Sequence, residues 1–187
     1  MQNNQKTRPQ SYALSHKLVH WLSAMIVIGL LIVGLVMTSM EKGALRGELY
    51  WWHKAFGVSA LTLIFLRILI KLKNGVPAPI STLTPFQRIA SASVHHLLYM
   101  LLVLVPVMGF IGSSACCGPI DVFGLFKIPN IIGGGVATTK LVMPIHKWGS
   151  YILAALIIAH VGAAFLHLFV FKDGTMRRML FKNNDLL

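Results

Sequence analysis

The stretch HKWGSYILAALIIAHVGAAFLHLFVF, from His146 to Phe171, decides how the rest of the chain is read. Apart from Lys147 it carries no Asp, Glu, Lys or Arg. It is long enough in helix to cross a hydrocarbon layer of about 30 Å, which takes roughly 20 apolar residues. Three histidines interrupt it, although histidine is expensive in hydrocarbon and usually marks a bundle interior or a functional site there. His146, His160 and His167 are separated by 14 and 7 residues. At about 100° per residue they fall about 40° and 20° apart around the helix, in one stripe. The first two lie about 21 Å apart along the axis, at 1.5 Å per residue, so two stacked sites are implied.

Working outward, three further apolar runs of similar length appear at approximately Leu18 to Met40, Trp52 to Leu72 and Val94 to Ser114. The expected fold is an all-α membrane protein, a bundle of four transmembrane helices forming one integral domain over residues 1–187. Composition agrees: 56% of the 187 residues are hydrophobic and 12% charged, about half the charge of a soluble protein. The net charge of +12 does not point to nucleic acid, which would need a solvated basic face. Here the cations sit in short islands between apolar runs.

Those islands set an orientation. Lys6, Arg8 and Lys17, the segment holding Arg67, Lys71, Lys73 and Arg88, and the tail with Lys172, Arg177, Arg178 and Lys182 account for eleven of the 17 cations. The positive-inside rule therefore places both termini in the cytoplasm and the loops 41–51 and 115–144 outside, in the periplasm of a bacterium. About 23 apolar residues in the first run exceed the core of a signal peptide, so it reads as an uncleaved anchor. Tyr50, Trp51, Trp52 and Trp148 form an outer aromatic belt. The long outer loop, rich in Gly and Pro, is expected to be an irregular cap. Its adjacent Cys116 and Cys117 offer no CxxC metal site, and a mutual bond or two free thiols both remain open.

A histidine stripe in a helical bundle suits haem, because neutral imidazole binds iron and apolar neighbours shield the macrocycle. Each haem needs a second ligand at matching depth from another helix. His53 opens the second run from outside and matches His146 by topology. At the inner end His20, His95 and His96 are all available to His160. Depth does not separate them, and His20 is as close to the level of His167 as to that of His160. His95 and His96 are about 100° apart, so only one faces inward squarely.

In chain order, the residues HWL at His20, His53 with Gly57 and LRILIKLK from Leu66, HLLYMLLVLVPVMG from His96, and HKWGSYILAALIIAH with HLFVFKDGTMRRM resemble the prokaryotic cytochrome b561 family of dihaem membrane proteins. The resemblance covers essentially the whole chain. It implies two haems b, with His53 and His146 as ligands of the outer one and His20 and His160 of the inner one. It also implies that His96 and His167 lie near the inner haem and a quinone, as hydrogen-bond or proton-relay groups, while His16 and His95 match less closely. No CxxCH occurs, so the haems are expected to be non-covalent.

Two bis-histidine haems have no open iron position and pass electrons. The family includes superoxide oxidases, so the resemblance implies transfer from periplasmic superoxide to ubiquinone in a bacterial inner membrane. The alternative is an electron-relay cytochrome partnering a dehydrogenase or hydrogenase. A histidine-relay transporter fits less well, because no broken-helix signature appears. Lys54 and Lys147 follow the two outer ligands, and Lys127 and Lys140 lie in the long loop. Together they are candidates for steering a small anion. Arg67, Lys71 and Arg88 are candidate propionate partners. Pro106 is expected to kink the third helix, and Gly57, Gly149 and Gly162 to permit close approach.

Overall fold

The structure, a computed structural model, describes residues 11–181; Lys6, Arg8 and Lys182 lie outside the described residues. Among these, four helices are long and apolar enough to cross a membrane. They are α1 (Leu14–Ser39), α2 (Ala44–Asn74), α3 (Pro85–Cys116) and α4 (Gly135–Phe165), the last continued by a π-helical turn over Leu166–Phe171. The chain runs up and down through them, so His53 and His146 belong to one end and His20 and His160 to the other; the ends are called outer and inner after the orientation expected from the charges.

Each helix outruns its apolar window. α2 begins at Ala44 instead of Trp52, α3 at Pro85 instead of Val94, and α4 at Gly135 instead of His146. The physical reason is that an apolar run measures the lipid, whereas a helix continues until its backbone meets a terminating signal. For α3 that signal is local. Pro85 occupies the first turn, Thr84 Oγ1 accepts from the Gln87 N–H at 3.2 Å, and Gln87 Oε1 accepts from the Thr84 N–H at 2.9 Å. For α4 it is Gly134, whose φ of 97° stops the preceding loop.

The long outer loop is consequently shorter and more regular than expected. It holds a hairpin of β1 (Ile120–Val122) and β2 (Phe126–Ile128), with Asp121 opposite Lys127. Phe123 and Gly124 both have positive φ at the turn, and Asp121 Oδ1 accepts from the Gly124 N–H at 2.6 Å. The turn drives Phe123 against Trp52 and Phe56, with ring centres 6.0 and 5.0 Å away, so part of the aromatic belt is a packed lid over the start of α2. Cys116 and Cys117 are disulfide-bonded to each other at the end of α3.

In lipid, helices associate through close packing more than through the hydrophobic effect, so small residues mark contacts. A Cβ on Gly109 would lie 2.8 Å from the His146 ring, on Gly112 2.7 Å from Met143, and on Gly149 2.9 Å from Val105. These glycines bring α3 and α4 together, and α3 runs unbroken through Pro106. Gly57 and Gly162 meet no other side chain or helix within 4 Å, so they do not mark helix contacts. Val27, Ala60, Leu98, Leu101, Val105 and Leu153 form the apolar core. Leu153 stands midway between His146 and His160, so this core separates two polar ends.

The inner end is stitched across the whole sequence. Ser11 Oγ donates to the Arg178 carbonyl at 3.1 Å, Trp21 Nε1 to the Met179 carbonyl at 3.0 Å, and Arg178 Nη1 to the Ala78 carbonyl at 2.6 Å.

Candidate functional site

At the outer end, α2 and α4 bring His53 and His146 together with ring centres 6.2 Å apart and planes at 85°. Metal–nitrogen bonds of about 2 Å, with about 1.1 Å from each nitrogen to its ring centre, would set two axial imidazoles about 6.2 Å apart. His146 Nδ1 lies 2.8 Å from the Val105 carbonyl, which only accepts, so the proton sits on Nδ1 and Nε2 carries a lone pair. His53 Nδ1 is buried without a hydrogen-bond partner. The two rings lie against glycines: a Cβ on Gly34 of α1 would come 3.3 Å from His53, and Gly109 of α3 is the corresponding cradle for His146. The spacing, the tautomer and the glycine cradles fit two ligands of one haem iron.

At the inner end three histidines converge. His20 and His160 have ring centres 6.4 Å apart, and His95 and His160 5.3 Å. The first separation leaves room for a metal between the rings; the second is too short for it by the same arithmetic. His20 Nδ1 accepts from Arg67 Nη2 at 2.6 Å, since a guanidinium only donates. The neutral His20 ring therefore carries its proton on Nε2. His95 Nδ1 instead donates to the Ser91 carbonyl at 2.7 Å and leaves Nε2 as an acceptor. Arg67 and Lys71 both lie over the Tyr99 ring, at 5.3 and 4.8 Å.

The two adjacent histidines of α3 separate here. His96 donates from Nδ1 to the Ala92 carbonyl of its own helix at 2.7 Å. His95 is the one whose ring meets His160, because adjacent helical positions cannot share a face.

His167 stands on the π-helical turn, whose wider winding interrupts the regular α-helical spacing from His160. Its Nδ1 lies 2.5 Å from Asp173 Oδ2, and Asp173 Oδ1 accepts from the Thr175 N–H at 2.9 Å. Burial works to raise the Asp173 carboxyl, but hydrogen bonds from Thr175 and His167 outweigh it and hold the group below its ordinary value. The pair leaves His167 Nε2 free to accept a proton or a hydrogen bond.

Of the four outer lysines, Lys54 and Lys147 directly follow the paired histidines, and Lys140 is exposed on the first turns of α4. Lys127 is set across the hairpin from Asp121, whose charge opposes its own. Arg88 Nε and Nη2 donate to the Leu83 and Ser81 carbonyls, both at 3.1 Å, so this cation caps the preceding loop.

Several participants carry no signal readable in advance. Gly34 and Gly109 look like any other glycines of the spans until their neighbours are known. Asp173 had a signal: it is an acid beside an inner histidine, in a segment otherwise basic.

The profile of prokaryotic cytochrome b561 matches residues 11–182. Cytochrome b561 homolog 2 of Escherichia coli (strain K12) is 31% identical over 183 residues, covering 95% of each chain. Cytochrome b561 homolog 1 of the same organism is 27% identical over 175 residues, covering 87% of this chain and 92% of its own. A Yersinia pestis protein named probable superoxide oxidase CybB is 27% identical over 168 residues, covering 87% of this chain and 91% of its own.

Proposed function

Because the chain belongs to the prokaryotic cytochrome b561 family of membrane electron-transfer proteins, we propose that it holds two haems b and carries electrons from superoxide to ubiquinone across a bacterial inner membrane. The observation that carries this reading is the pair of histidine couples at opposite ends of one bundle, spaced 6.2 and 6.4 Å. His53 and His146 would hold the outer haem, His20 and His160 the inner. When bound, the haems supply one-electron iron chemistry with both axial positions filled, which suits transfer and not oxygen activation at the metal. At the inner site, ligation by His20 Nε2 requires the ring proton to move to Nδ1 and Arg67 to take another acceptor. Arg67 and Lys71 would pair with haem propionates, which are such acceptors.

The overall reaction balances simply. Two superoxide ions each lose one electron and leave as dioxygen, while one ubiquinone gains two electrons and two protons. Lys54, Lys140 and Lys147 support the choice of a small anion as donor, since a cationic rim raises its encounter rate. Lys127, opposed by Asp121, contributes less. The cation distribution supports cytoplasmic termini, and His167 oriented by Asp173 would relay protons from that side. The name of the Yersinia relative points the same way.

Pyridine haemochrome quantitation of the purified protein tests the cofactor reading: fewer than two haems b per chain overturns it. Rapid mixing with superoxide under anaerobic conditions tests the donor. Haem reduction followed by transfer to added ubiquinone is expected. Its absence would favour the relay subunit of a larger dehydrogenase or hydrogenase.

A further inference from the structure

His16 and His96 are the inner histidines that neither cluster absorbs, and of the two only His16 is buried. It is 9% exposed, and neither ring nitrogen has a hydrogen-bond partner. The nearby Gly75 carbonyl acts on the ring without meeting bonding geometry. A buried imidazole in this state costs free energy unless something else satisfies it. The ring lines a cavity of about 120 Å³ together with Tyr12, Asn74, Gly75 and Pro77. The cavity opens at the inner end, between the start of α1 and the end of α2.

Its size limits the occupant. It is close to the roughly 150 Å³ that accepts benzene in an apolar cavity and well below the roughly 300 Å³ of a site enclosing a whole drug-sized ligand. The carbonyl edge of one ring enters it, with the rest of the ring, its other substituents and any tail outside. The chemistry of the wall is also selective. His16 offers an N–H or a lone pair, and Tyr12 stands with its ring centre 5.8 Å from His16. Burial, with Tyr99 adding to it, pushes the Tyr12 phenol above its ordinary value against the pull of Arg178 and Arg67, so its proton is retained as a donor. Leu18 and Leu72, on the two helices that flank the opening, are exposed to lipid.

Position supplies the remaining argument. Tyr12, His16 and His20 follow one another at four-residue intervals, so His16 lies on the same face of α1 as His20 and about 6 Å nearer the surface. A ring held by His16 would therefore stand one helical turn from the inner histidine couple.

We propose that the His16 cavity is a binding site for a quinone headgroup, with His16 hydrogen-bonded to one ring oxygen and the isoprenoid tail running out over Leu18 and Leu72. This rests on the quinone reading above and assigns it a place distinct from the His167–Asp173 pair.

The test uses the haem-loaded full chain in lipid nanodiscs. A photoreactive azido-ubiquinone with a short tail is crosslinked and the adducts are mapped by mass spectrometry. Adducts within residues 12–18 or 72–77, abolished by excess ubiquinone, are expected. His16→Phe, which keeps the ring but removes the hydrogen bond, should weaken binding of the short-tail ubiquinone at least tenfold with an unchanged haem spectrum. His16→Gln should recover most of it. Adducts confined to the π-helical turn and the tail after it, or unchanged affinity in His16→Phe, would overturn the site while leaving quinone reduction intact. A wild-type protein that binds no quinone and yields no competed adduct anywhere would overturn the underlying quinone reading as well.

Discussion

His53 and His146 meet among glycines and a backbone carbonyl, whereas His20 and His160 meet beside an arginine, a lysine, a tyrosine and a third histidine. The ring spacings are nearly the same, so the difference lies in what surrounds them. The outer couple has a single arrangement: one ring is fixed by Val105, the other sits in the Gly34 cradle, and no cation touches either ring among the described contacts. The inner couple is crowded and positively charged. A fixed cation beside a redox centre stabilises its reduced, more negative form, and more so in a low dielectric. On the proposed reading the two haems would differ in potential, and the inner one would be the better electron acceptor. Electrons entering at the outer end would run downhill, which agrees with a donor outside and a quinone inside.

The comparison breaks most directly at the ligands. Replacing His53 or His146 by Ala should remove one of the two haems and leave the inner spectrum in place, read as a halved pyridine haemochrome yield. Loss of both haems would mean that the sites are not independent. At the inner end the same substitution sharpens the crowded case: His20→Ala should lose the inner haem and His95→Ala should keep it. The opposite result would show that the proton placement on His95 outweighs the ring spacing of His20.

Gly109→Ala probes the outer cradle without touching a ligand. Its Cβ would lie 2.8 Å from the His146 ring, so a cost of about 1–3 kcal/mol is expected, seen as a lower melting temperature and partial loss of the outer haem. Gly57→Ala, with nothing within 4 Å, should do neither. Arg67→Gln probes the inner charge. In a spectroelectrochemical titration the inner midpoint should fall while the outer one stays, and two unmoved midpoints would remove Arg67 from the account. Smallest is the effect of Asp173→Asn, which should slow haem reoxidation by ubiquinone several-fold with haem content unchanged. Because the folded carboxyl is held below 3.8, its contribution to stability is present at neutral pH and fades as pH falls through that lower value. The difference in melting temperature between wild type and Asp173→Asn should therefore close only in strong acid.

The four helices and the couple at His53 and His146 were legible in the sequence because both follow from one-dimensional facts: apolar length, and which end of a span each residue occupies. The inner end was not. His20, His95 and His96 share a depth, and their separation depends on helix rotation and on where Arg67 reaches, neither of which a spacing rule contains. The same holds for the glycines. Gly57 and Gly162 resemble Gly109 in their setting of apolar neighbours, yet only Gly109 faces a ring on another helix. Helix ends were misplaced for a different reason, since Thr84 with Gln87 and the left-handed Gly134 stop helices beyond the lipid, where hydropathy carries no information.

α4 contributes one ring to each couple, His146 outside and His160 inside, and the segment after it ties Arg178 and Met179 back to Ser11 and Trp21. It also follows the other three in chain order and leaves the ribosome after them. A nascent chain with three helices in the membrane has His20 and His53 in place but no second ring for either, and its inner face is unstitched. On the proposed reading, haem capture would therefore wait for α4, and a chain truncated before Gly135 should enter the membrane as a colourless protein. Biogenesis of this bundle would then have a natural checkpoint, the arrival of its fourth span.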